Sequence, residues 1–130
     1  MSRYLLDTHT LLWYTTEPAR LSSHLVNVIQ NEENLVFVSA ISLWELGIKY
    51  KLGKLPEAEP LVTNWFSMIV QLKMDDLAFS SLHSREAALL EWDHKDPFDR
   101  ALAAQARIER LTLLTYDAAF SSLSRLKTLW

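Results

Sequence analysis

The chain has 130 residues, 49% hydrophobic and 22% charged, with a net charge of -3 and no cysteine. That length supports one hydrophobic core rather than two, so residues 1–130 are expected to form a single domain, and the composition favours neither disorder nor a fibrous repeat. The lack of cysteine excludes a disulfide scaffold, a thiolate metal site and a cysteine nucleophile, while an acid already at Asp7 and no long uncharged run argue against secretion and membrane insertion, leaving cytoplasmic residence as the expectation.

In chain order, Tyr4 to Leu6 reads as a short strand ended by Asp7-Thr8, and His9 to Tyr14 as the start of a helix broken by Pro18. Ser22 is placed to cap a second helix, in which Leu25, Val28 and Ile29 share a face and which ends near residues 30–34. Leu35 to Val38 lacks polar alternation, as expected of a strand covered on both faces, and Ser39 ends it. Ile41, Trp44, Ile48 and Leu52 form an apolar stripe on a third helix stopped by Gly53, and Ser42-Leu43-Trp44-Glu45 matches a capping box with Ser42 as N-cap. Pro56 and Pro60 frame an acidic turn before a helix with a broad apolar face carrying Trp65, Ile69 and Leu72. Leu77 to Phe79 reads as a short strand, Leu82 to Trp92 as a helix, and Pro97 to Glu109 as an alanine-rich helix with Asp96 as N-cap. Leu111 to Thr115 and Leu126 to Trp130 complete the strands. Alternating strands and helices imply βαβ units, right-handed crossovers and a mainly parallel sheet with helices on both faces.

Four acids stand where these apolar runs give out. Asp7 and Asp117 close strand-like runs, which puts them at the carboxyl edge of a parallel sheet, where ligands bind. Glu45 and Asp99 sit beside inward-facing residues of their helices. Each acid also has a plain structural explanation as a turn or cap residue, and Asp96 is the one most easily explained so. Gathered together, four carboxylates about 5 Å apart would repel by about 3 kcal/mol per pair at an effective dielectric near 20, enough over all pairs to rival the stability of a domain. Either raised pKa values or a hard divalent cation must offset that repulsion, and oxygen ligands favour magnesium or manganese. Such a centre suits phosphodiester hydrolysis without a protein nucleophile.

The blocks Leu5-Leu6-Asp7-Thr8-His9, Val38 to Glu45 with Lys49 and Gly53-Lys54-Leu55, His94 to Arg100, and Leu114-Thr115-Tyr116-Asp117 together resemble the PIN-domain ribonucleases, in the VapC-like branch of type II toxin-antitoxin toxins. The resemblance implies a three-layer α/β/α fold and a magnesium- or manganese-dependent endoribonuclease. It assigns Asp7, Glu45, Asp99 and Asp117 to the catalytic metal site, with Asp96 as an additional acid, and places Thr8 and Thr115 beside the metal ligands. It also implies an RNA substrate, a cognate antitoxin and a homodimer. Lys49, Lys51 and Lys54 follow Glu45 and Arg100 follows Asp99, positions from which they could hold RNA phosphates, although Arg100 could instead pair with Asp96. His9, His24, His83 and His94 share no metal-binding spacing and are expected to be structural or superficial, and Trp13, Trp44, Trp65 and Trp92 are expected in the core. The rival reading is a non-catalytic PIN-like interaction module whose acids are caps and whose apolar helices bind a partner. A phosphoacceptor receiver fits less well, since Asp7 stands alone and no lysine follows the late strand.

Overall fold

A computed structural model describes residues 1–130. Five parallel strands, β1 (Arg3–Leu6), β2 (Leu35–Ser39), β3 (Asp75–Leu77), β4 (Thr112–Leu114) and β5 (Thr128–Leu129), form one sheet in the order β3-β2-β1-β4-β5. The chain builds outward from β1 through β2 to β3, then crosses back to place β4 on the other side. β1 and β4 therefore flank the point where the winding reverses, and the crevice at their carboxyl ends is where such sheets bind ligands.

Seven α-helices cover the sheet: α1 (Thr8–Thr16), α2 (Ser23–Gln30), α3 (Ala40–Lys51), α4 (Glu59–Thr63), α5 (Trp65–Gln71), α6 (Ser81–Leu89) and α7 (Pro97–Glu109). Successive strand side chains point to opposite faces, so β1 and β4 each divide their apolar residues between two cores. Leu6 and Leu114 join Leu11, Leu25, Leu46, Leu61 and Trp65 on one side. Leu5 and Leu113 join Leu102, Ala103, Ala106 and Phe120 on the other. The result is the three-layer α/β/α arrangement that the alternation of elements implied. In α7 the six residues from Ala101 to Ala106 are all buried, and four of them are alanine, whose small side chain lets a helix approach the sheet closely.

Several boundaries differ from the sequence reading. The third strand lies at Asp75–Leu77, not Leu77 to Phe79, because it pairs with β2 in the register Phe37 to Asp75 through Ser39 to Leu77. The following helix ends at Leu89, short of Trp92, and the apolar stretch around Trp65 is two helices broken at Asn64. The acidic turn after Pro56 is a 3-10 turn that runs straight into α4. α3 starts directly after β2, with Ser39 as N-cap accepting from the Ile41 N–H, so Ser42 is not the cap. Ser42 lies within the helix, and its hydroxyl shares a 2.9 Å hydrogen bond with that of Thr8 on α1. The buried residues of α3 are Ile41, Ser42, Glu45 and Leu46, whereas Trp44 is 61% exposed and Ile48 and Leu52 are exposed as well. The expected stripe was rotated because Ser42 and Glu45 take the inward positions.

Candidate active site

The carboxyl ends of β1 and β4, the inner face of α3 and the head of α7 enclose a cleft of about 810 Å³. Asp7, Thr8, Glu45, Lys49, Asp96, Asp99 and Asp117 all line it, together with His9, Trp13, His94 and Tyr116.

At its floor, Asp7 continues the strand: its N–H donates to the Leu114 carbonyl at 3.1 Å before its side chain caps α1. The two carboxylate oxygens are fixed separately, Oδ1 by the Thr10 N–H at 2.8 Å and Oδ2 by the Thr115 hydroxyl. The Thr115 hydroxyl also accepts the N–H of Asp117 at 3.0 Å, so one side chain positions two of the acids. Asp7 is only 7% exposed, and burial raises its pKa above the ordinary aspartate range despite the hydrogen bonds that oppose the shift.

On α3, Glu45 is 4% exposed and accepts the Lys49 ammonium, one turn along, at 2.6 Å. That ion pair, rather than a capping-box bond to the backbone, is what holds the glutamate. At the head of α7, Asp96 is exposed and its Oδ1 accepts from the N–H groups of Phe98 and Asp99, as an N-cap does. Asp99 is half-buried, and its Oδ2 meets His94 Nε2 at 2.7 Å. Desolvation pushes the Asp99 carboxyl up to about 6; the His94 contact opposes the shift and the neighbouring Asp96 and Glu45 charges add to it. Asp117 is exposed and caps a 3-10 turn through the Ala119 N–H at 2.9 Å.

Arg100 does not face the cleft as a phosphate contact. Its guanidinium donates to the carbonyls of Ala87, Leu90, Trp92 and His94 at 2.8 to 3.1 Å, and so clamps the loop between α6 and α7. This corrects both expectations for Arg100, RNA binding and pairing with Asp96. His94 is corrected in the opposite direction, since it belongs to the site: Trp92 lies against its ring at 4.8 Å, and its partner is Asp99. The proximity of His94 to Asp99 in sequence was the available signal. Tyr116 and Trp13 are further cleft residues that the apolar pattern did not single out.

The donor set fits a hard divalent cation. Glu45 Oε1, Asp99 Oδ1 and Asp117 Oδ2 accept no hydrogen bond from the protein, so each of these carboxylates keeps a free oxygen in one cleft. One ligand atom each from His94, Asp99 and Asp117 lie within 4.8 Å of one another. The raised pKa values of Asp7 and Asp99 come first from burial, to which the Asp96 and Glu45 charges add only at Asp99.

The chain matches the PIN-domain family over residues 4–126. It is 30% identical over 122 residues to the ribonuclease VapC22 of Mycobacterium tuberculosis, a likeness covering 94% of this chain and 92% of that one. In fold it is similar to the VapBC2 structure from Rickettsia felis bound to a promoter DNA fragment, with a TM-score of 0.70 and 20% identity over 98% of each chain. It is also similar to the FitAcB structure from Neisseria gonorrhoeae, with a TM-score of 0.67 and 19% identity over 98% of this chain and 96% of that one.

Proposed function

The chain belongs to the PIN-domain family, in its VapC-like branch, and on that premise we propose that it is a divalent-metal-dependent endoribonuclease serving as the toxin of a type II toxin-antitoxin pair. The observation that carries this reading is the convergence of Asp7, Glu45, Asp99 and Asp117 from four separate segments on one cleft, three of them with an unpaired oxygen.

In this reading those four residues hold magnesium, or manganese in its place, and Asp96 stands as an outer acid whose first task is to cap α7. Bound there, the cation supplies charge neutralisation of the phosphate and activation of water for an in-line displacement. The protein's own groups do the positioning. Thr115 and the Thr10 N–H aim the Asp7 oxygens, His94 aims Asp99, and the Lys49 ammonium holds Glu45 and offers positive charge to an incoming phosphate. Thr8 acts through Ser42, which pins α1 to α3 beside the cleft. The antitoxin partner is supported by the likeness to VapBC structures, and a homodimer is proposed on the same family grounds. The chain is read as one domain acting in the cytoplasm, in keeping with the fact that no helix is long and apolar enough to cross a membrane.

Brief induction of the protein followed by sequencing of cellular RNA ends, with Asp7→Asn as control, tests the proposal. New ends bordering specific internal positions are expected with the wild type alone. Identical end profiles for the two proteins would contradict it and favour a non-catalytic interaction module.

A further inference from the structure

The acids account for only part of the cleft lining. His9, Trp13 and Tyr116 share it with them. Tyr116 stands between Thr115 and Asp117 in the chain and is 69% exposed. Its ring is nevertheless not free to swing. It meets Trp130 at 5.3 Å and Trp13 at 6.4 Å, both close to edge-on at 67° and 68°, and Trp13 in turn meets Trp130 at 6.1 Å. His9 leans on Trp13 at 5.7 Å, and the Arg20 guanidinium lies 4.0 Å from the centre of a Trp13 ring. Two edge contacts on Tyr116, backed by the contact between Trp13 and Trp130, therefore set the plane of an aromatic ring whose surface remains largely in water.

An exposed tyrosine is usually mobile, and ordering it on binding would cost side-chain entropy. Here the cluster has ordered it in advance, at the mouth of a cleft whose other wall is built of carboxylates. The ligand that can use a flat π face and a neighbouring phosphodiester site at once is a nucleobase taken out of its stack. Arg20, about half exposed and 3.9 Å from Glu17, lies against Trp13 outside the cleft lining and takes no part in the subsite.

We propose that Tyr116, buttressed by Trp13 and Trp130, is a stacking subsite that receives an unpaired base of the RNA substrate next to the phosphate to be cut. The inference rests on the nuclease reading above and deepens it by naming the residue that would take an unpaired base, because a paired base cannot lie on the ring. It also predicts tolerance of base identity at that position, since every base offers a π face.

The test uses the full chain in the Asp7→Asn background, in magnesium, so that binding is read without turnover. The probes are a labelled single-stranded RNA of mixed sequence and an abasic ribose-phosphate oligomer of the same length. Tyr116→Leu keeps apolar bulk against Trp130 but removes the π face, and it is expected to weaken the Kd for the RNA about tenfold while leaving the abasic oligomer unchanged. Tyr116→Phe should bind both probes as the parent does. Equal binding of RNA by the Leu variant and the parent would overturn the subsite, as would an equal loss on both probes. If that result came with normal RNA cleavage by the Asp7-containing protein, the subsite alone would fail. A parent protein that bound neither probe, and a wild type that cut no RNA, would sink the nuclease reading with it.

Discussion

The floor of the cleft and the head of α7 each present acids to the same space, but they position them by different physics. At the floor, backbone pairing does the work: the register that sets Leu6 beside Leu114 also brings Asp7 to Thr115. Its acid is buried, doubly hydrogen-bonded and shifted upward by desolvation. At the head of α7 no strand pairing is available. The loop that carries His94 and leads to Asp96 and Asp99 is held by side chains instead: the Arg100 guanidinium donates to four carbonyls, and the Trp92 indole N–H donates to the Ser122 hydroxyl at 3.0 Å. The floor is thus held by backbone pairing within the sheet, while the head is held by side-chain contacts.

Breaking each region should give distinct signatures. Asp7→Asn keeps a side chain of the same shape, and it is expected to lower RNA cleavage by at least about a hundredfold while leaving the urea midpoint of the cation-free protein unchanged or higher. A lowered midpoint would show that the charged carboxylate stabilises the fold. Arg100→Ala leaves the proposed cation ligands in place but unsatisfies carbonyls of α6 and the α6–α7 loop, so it should destabilise the chain by about 2 to 3 kcal/mol in urea unfolding. Its activity should fall through misplacement of Asp99 and His94, whereas unchanged stability would mean that the loop holds its shape without the clamp.

The pH dependence sharpens the contrast further. Asp99 is pushed up to about 6 in the folded chain from an ordinary value of 3.8, so between these values the folded state binds more protons than the unfolded one. That contribution to stability is full at and below about pH 4 and is lost as pH rises towards 6. Without divalent cation, Asp99→Asn should therefore gain stability relative to wild type across that interval, and saturating magnesium should remove the difference. Urea midpoints measured at several pH values in chelator check this, and a relative loss for the variant would contradict the assigned direction. The smallest effect belongs to Asp96→Ala, which removes an N-cap and should cost about 1 kcal/mol. Cleavage should fall far less than for Asp99→Asn; equal losses would make Asp96 a direct participant.

The same contrast explains what could be read from the sequence. β1, β2, β4 and α7 were legible because apolar runs and alanine content report burial directly, and the strand-end position of Asp7 followed from them. α3 was misphased because the residues turned inward at the site are polar: Ser42 and Glu45 occupy positions that a hydrophobic pattern assigns to Trp44 and Ile48. The capping-box pattern pointed to Ser42, whereas the lack of any loop after β2 puts the cap at Ser39. The role of Arg100 was hidden for another reason. Its partners are backbone carbonyls, which every residue carries, so no sequence signature marks them. His94 was missed because its partner lies across a helix start rather than at a helical spacing.

In the proposed function the converging acids hold a divalent cation that RNA cleavage requires. Cleavage of a single-stranded RNA by the purified chain, measured against magnesium concentration after exhaustive chelation, tests it most directly. No cutting in chelator, recovery on addition of magnesium or manganese, and no recovery for Asp99→Asn are the predicted results. Undiminished cutting by the wild type in excess chelator would contradict the account.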